Sequence, residues 1–241
     1  MSDNEMFNEP GYGFSPGSSE VEPIGVYTAK TFGWMALGLL VTFALAFVID
    51  ATPLVFLLYY QFPALPFIMA IAELIVVMVL SAKVHSLSVG AARALFFLYA
   101  ALNAVTFSGL FFLYDLNRVI FVFGITALYF GVLALYGYKT KRNLANLRVI
   151  LFSGLIFLLL FWLVSMFIPM TGFERIACLI GLVIFMGYTA YDTQKIKQFH
   201  STFSQDPEMA QKASIISALE LYLDFINMFL YILRLLGKNR N

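Results

Sequence analysis

Charge is scarce in this chain. Only 12% of its 241 residues are charged, against roughly 25% in soluble domains, which excludes an ordinary soluble domain. Cysteine is scarcer still. The single Cys178 rules out an internal disulfide or a cysteine metal site and reads as a small buried apolar residue. The two histidines, His85 and His200, are far apart in sequence, so no zinc site is expected from them. No basic stripe interleaves with aromatics, so nucleic acid is not an expected partner. No segment alternates polar and apolar residues as the strands of a membrane β-barrel do.

What remains is apolar. Hydrophobic residues make up 61% of the chain and the mean hydropathy is +0.85. The apolar residues fall into blocks of about twenty, the length that crosses a bilayer as helix. Seven spans are predicted, near 31–49, 62–82, 89–114, 119–138, 147–168, 175–196 and 214–236. The fold class is therefore an all-α membrane protein with seven transmembrane helices, and the bilayer is its first partner. Pro63 and Pro66 argue against a continuous helix through "TPLVFLLYYQFPALPF", where Tyr59 and Tyr60 suit an interface. Residues 1–27 are acidic and rich in Gly, Pro and Ser. They lack the marks of a signal peptide and read as a disordered tail ahead of a membrane domain at 28–241.

Orientation follows from the cations near span ends. With the N-terminus inside, Lys30, Lys83, Arg93, Lys139, Lys141, Arg142, Arg148, Lys195, Lys197 and Lys212 fall inside, and Arg118, Arg175, Arg234, Lys238 and Arg240 outside, 10 against 5. The N-terminus is thus expected in the cytoplasm. A last segment that re-enters, rather than crosses, would return the C-terminus to the same side.

Carboxylates inside spans are costly and point to function or a partner. Four qualify: Glu73, Asp192, Glu220 and Asp224. On the last span Glu220, Asp224, Asn227, Tyr231 and Arg234 follow steps of 4, 3, 4 and 3, one stripe roughly 80° wide at 100° per residue. The opposite face is Leu, Ile, Phe and Met. Such a stripe should face a cavity or a polar partner helix. On the preceding span Gly181, Phe185, Tyr188, Asp192 and Lys195 share a face. Consecutive spans are expected to be antiparallel neighbours. Depth, counted at ~1.5 Å per residue, puts Asp192 about 6 Å in and Asp224 about 15 Å in, so depth alone matches Asp192 to Glu220. If the two aspartates do meet, they form a coupled, proton-sharing unit and, when ionised, an oxygen site that attracts Ca²⁺.

The segments "YTAYDTQKIK", "LYLDFINMFLYILRLLG", "YGYKTKRNL" and "TFGWMALGLLVTFALAF" resemble the Bax inhibitor-1 family, most closely its bacterial inner-membrane branch. The resemblance runs from about Thr28 to Gly237. It implies a central last helix wrapped by six others, and a pH-sensitive Ca²⁺ leak whose sensor is an aspartate pair, here Asp192 and Asp224. Asn227 and Tyr231 would then line the ion path. It also implies an acidic residue on the second helix, here Glu73, and an arginine late in the last, here Arg234, better placed for Glu73 or the interface than for Asp224. Some members latch the first aspartate with an arginine from the second helix. Here that place reads "SAKVHS", leaving Lys83 or His85. No cofactor is implied; calcium is the expected permeant, with protons as the control. A regulatory role, binding a membrane protease or a cell-death partner without transport, is the alternative. An aspartyl intramembrane protease is disfavoured because the second aspartate stands in "YLDF", without the Gly-Xaa-Gly-Asp context or a Pro-Ala-Leu element.

Overall fold

The computed structural model describes residues 21–53, 59–165, 167–168 and 172–236. Most of the expected N-terminal tail, and Lys238 and Arg240, lie outside these residues. Among the described residues seven long α-helices have defined ends: α1 (Ile24–Asp50), α2 (Leu65–Ala82), α3 (Val89–Leu113), α4 (Leu116–Lys139), α5 (Arg148–Ser165), α6 (Glu174–Phe203) and α7 (Pro207–Leu236). A short 3₁₀ turn, Leu144–Leu147, precedes α5. All seven are long and apolar enough to cross a membrane, and the described residues contain no strand.

Local chemistry sets the helix ends. Ser88 accepts the Ala91 amide at 3.1 Å and caps α3, and Asp206 accepts the Met209 amide at 3.0 Å at the start of α7. Both satisfy amides that an α-helix leaves unpaired. Pro66 sits in the first turn of α2, where a missing N–H costs nothing. Helix α1 begins at Ile24, inside the stretch expected to be tail, and Pro23 precedes it.

Helix α7 is the hub. It packs on α1, α3, α4 and α6, while α2 rests chiefly on α3 and α5 on α6. At its centre Phe229 meets Phe43 of α1 at 5.6 Å between ring centroids. Phe43 also meets Phe107 of α3 at 5.4 Å and Phe123 of α4 at 4.7 Å. Edge-on contacts of this kind are favourable beyond the area they bury. The outer helices instead turn Ile71, Leu74, Met78, Ile156, Leu159 and Leu160 outward, as lipid contact requires.

The face of α7 opposite the polar stripe is less apolar than its composition suggests. Thr42 lies 2.8 Å from the Ala100 carbonyl and 2.7 Å from the Tyr222 hydroxyl. With the Thr42 proton given to that carbonyl, Tyr222 donates to Thr42, so one chain of bonds joins α1, α3 and α7. Ser214 and Thr31 bond at 2.8 Å nearer the start of α7. These are the interhelical polar links that hold membrane bundles together.

Further contacts fix how α4, α5 and α6 sit. A methyl group on Gly137 of α4 would meet the Ala190 carbonyl oxygen of α6 at 2.2 Å, so only glycine lets the two backbones pass this closely. One turn on, Gln194 accepts the Leu144 amide and donates to the Arg142 carbonyl, both at 2.8 Å. Lys197 reaches the Tyr138 carbonyl. The motifs "YGYKTKRNL" and "YDTQKIK", distant in sequence, are one packed unit.

Candidate functional site

Helices α6 and α7 run antiparallel, and a ladder of side chains fixes their register. Phe185 lies against Tyr231, with ring centroids 6.0 Å apart. Thr189 and Met228 touch at 3.4 Å. Lys195 Nζ reaches Glu220 Oε1 at 2.6 Å. Between these rungs the carboxyl groups of Asp192 and Asp224 come within hydrogen-bonding reach of each other. They are 6% and 3% exposed, so water does little to separate them. Two ionised carboxylates are both acceptors, and a hydrogen bond between them therefore requires a proton on one.

The depth count that matched Asp192 to Glu220 is corrected here. Glu220 stands one turn away from the aspartate contact and takes Lys195 as its partner. Helix α6 continues to Phe203 and α7 starts at Pro207, so both aspartates lie farther from the helix ends than the hydropathy windows suggest. The offset of about 9 Å at 1.5 Å per residue persists when counted from these ends, and the ladder of side chains, not distance from the ends, decides which residues meet.

The pair opens onto a cavity of about 450 Å³ between α5, α6 and α7. Lys195, Glu220, Arg148, Tyr188 and Tyr191 are the other charged or titratable groups lining it. Two buried oxygens, Asp224 Oδ2 and Glu220 Oε2, have no hydrogen-bond partner. Arg148, at the start of α5, carries no local sequence signal for this role. It reaches the cavity because α5 lies against α6.

The structure separates the remaining candidates. Asn227 donates to the Leu223 carbonyl of its own helix at 2.8 Å. The Tyr231 ring lies flat on Gly181, where a methyl group would meet it at 2.4 Å. Together with Phe185 it stands between the aspartate cavity and a second one of about 490 Å³ at the far end of α7. Arg234, Glu174, Arg175 and Cys178 line that second cavity. Arg234 shares this cavity with Cys178 and forms no ion pair with Glu73. Glu73 instead accepts a hydrogen bond from Thr106 of α3 at 3.1 Å, away from the aspartates. Lys83 and His85 are exposed at the end of α2, and neither lines the aspartate cavity, so neither is a latch in this arrangement. The cation beside the pair is Lys195.

Among the described residues no three His, Cys, Asp or Glu side chains converge as a metal cage. Calcium takes six to eight oxygens, so a calcium ion at the pair would keep much of its water.

A model of the family described as inhibitor of apoptosis-promoting Bax1 matches residues 25–241. Inner membrane protein YbhL of Escherichia coli K12 is 38% identical, over 94% of this chain and 99% of its own length. An uncharacterized protein of Borreliella burgdorferi is 35% identical, over 89% and 93%. Uncharacterized protein RP147 of Rickettsia prowazekii is also 35% identical, over 89% and 90%.

Proposed function

The chain belongs to the Bax inhibitor-1 family as a multi-pass membrane protein, and from that premise we propose that it is a proton-gated calcium leak whose gate is the Asp192–Asp224 pair. The observation that carries this reading is the carboxyl contact between α6 and α7, set at the wall of a polar cavity. With a proton the pair bonds across the two helices and holds them together. Without it two carboxylates face each other and repel, and Ca²⁺ is drawn to them. Flux should therefore rise with pH. Glu220 would relay the ion toward the pair. The second cavity, beyond Tyr231, would be the opposite vestibule, lined by Tyr231 and Arg234. Glu73 stands apart from this route. The N-terminus is assigned to the cytoplasm, which places the aspartate cavity on that side.

The test is calcium flux in reconstituted vesicles across pH. The wild-type chain is expected to leak several-fold more at pH 8 than at pH 6. Asp192→Asn with Asp224→Asn is expected to give a pH-independent flux. An unaltered flux and pH response in that double variant would end the sensor reading. Absence of flux at any pH would favour the regulatory alternative, which deletion of residues 1–25 addresses separately.

A further inference from the structure

A third cavity, of about 430 Å³, lies where α1, α3 and α7 begin and α6 ends. It shares no residue with the aspartate cavity. Tyr27 donating to the Ala210 carbonyl at 3.0 Å, and His200 bonding the Glu22 carbonyl at 2.6 Å, bind the ends of α1, α6 and α7 together. Helices α1 and α7 have 27 and 30 residues, about 40 and 45 Å at 1.5 Å each. The hydrocarbon core is about 30 Å thick, so the helix ends reach the headgroup layer.

The lining is graded in depth. Along one face of α1 it passes from Lys30 to Trp34 to Leu37, from cation to aromatic to aliphatic in the direction of the bilayer centre. Tryptophan prefers the interface itself. From α3, Arg93 lays its guanidinium over the Trp34 ring at 4.9 Å and donates to Gln211 of α7 at 3.1 Å. Its Nε is buried with no partner. Between the cations and Leu37, the position of Gly33 leaves open space, since a methyl group there would touch nothing within 4 Å. Leu37 is 48% exposed, so the groove opens sideways to lipid.

We propose that this cavity binds an anionic phospholipid from the surrounding bilayer, its phosphate between Arg93 and Lys30 and an acyl chain along Gly33 and Leu37. Glu22, now paired with Lys30, is the group the phosphate displaces. Basic pockets between membrane helices recognise such headgroups, and one cation near the surface changes affinity about fivefold. The inference stands apart from ion flux.

The chain contains two tryptophans, and the other, Trp162, lines the far cavity. Trp162→Phe therefore leaves Trp34 as the sole tryptophan, whose emission is excited selectively beyond the absorption of tyrosine. This variant is placed in phosphatidylcholine vesicles in which a minor fraction is brominated, as either phosphatidylglycerol or phosphatidylcholine. Brominated phosphatidylglycerol is expected to quench Trp34 at about one-fifth the mole fraction that brominated phosphatidylcholine requires. Equal quenching by the two lipids in this variant, which keeps every cation, overturns the proposal. Adding Arg93→Gln and Lys30→Gln should remove the preference, and preference retained without them also overturns it. Gly33→Leu, which fills the groove and leaves the charges, should weaken quenching by both lipids; unaltered quenching overturns the acyl assignment. Millimolar inorganic phosphate should leave the preference intact. If it abolishes the preference, the site takes free anions and not lipid.

Discussion

Gly137 and Lys195 show how much single side chains decide. At Gly137 the obstacle to a methyl group is the Ala190 carbonyl oxygen, which belongs to a rigid helix and cannot rotate aside. Gly137→Ala should force α4 and α6 apart and cost about 1–3 kcal/mol, read as a lower unfolding temperature in detergent. Lys195 offsets the negative charge of Glu220 and of the aspartates beside it. Lys195→Met removes that offset, so a proton is held at the pair to a higher pH. The flux transition should move toward alkaline pH, and a transition unmoved or shifted to acid would contradict the proposed gate. Of these residues the sequence marks only part. The stripe on the last helix is visible in its spacing, and the resemblance selects Asp224 within it. Counting depth from the span limits selects Glu220 instead, because the register of α6 against α7 leaves no trace in composition. Gly137 is equally silent, since no local pattern says that α4 lies on α6.

Elements behave here as levers joined at a few points. Helix α6 grips the α4–α5 connection through both ends of the Gln194 amide. Gln194→Ala removes two hydrogen bonds, worth about 1–2 kcal/mol together. Amides of residues 140–147 should then exchange roughly tenfold faster, while those of α7 stay protected. The number and order of helices can be read from hydropathy, because a span needs about twenty apolar residues. Their true ends cannot be read this way. The polar run "KIKQFHSTF" closes the sixth apolar window, yet it continues α6 to Phe203, since Lys, Gln and His suit a helix that has left the bilayer core. The same applies to α7, which starts at Pro207, well before its apolar stretch.

Among the described residues seven helices are long and apolar enough to cross a membrane. Helix α7 is continuous to Leu236, so the last segment is expected to cross and not to re-enter. Residues 21 and 236 are then predicted to lie on opposite faces. In a Cys178→Ser background, Val21→Cys and Leu236→Cys should each react with an impermeant maleimide from one side only, and from different sides. Labelling of both from one side would overturn this topology. The ten cations assigned inside from the sequence lie at helix ends that meet on one face, and that face carries the lipid cavity. The central place of α7 has a further consequence in time. The ribosome delivers the chain from its N-terminus, so the hub is made after the six helices it holds together. Until it arrives, Phe43, Phe107 and Phe123 have no Phe229 to close on, and Thr42 has no Tyr222. The first six helices enter the membrane as a shell awaiting its axle. A message cut short before Pro207 would yield a protein with nearly all its surface and almost no centre.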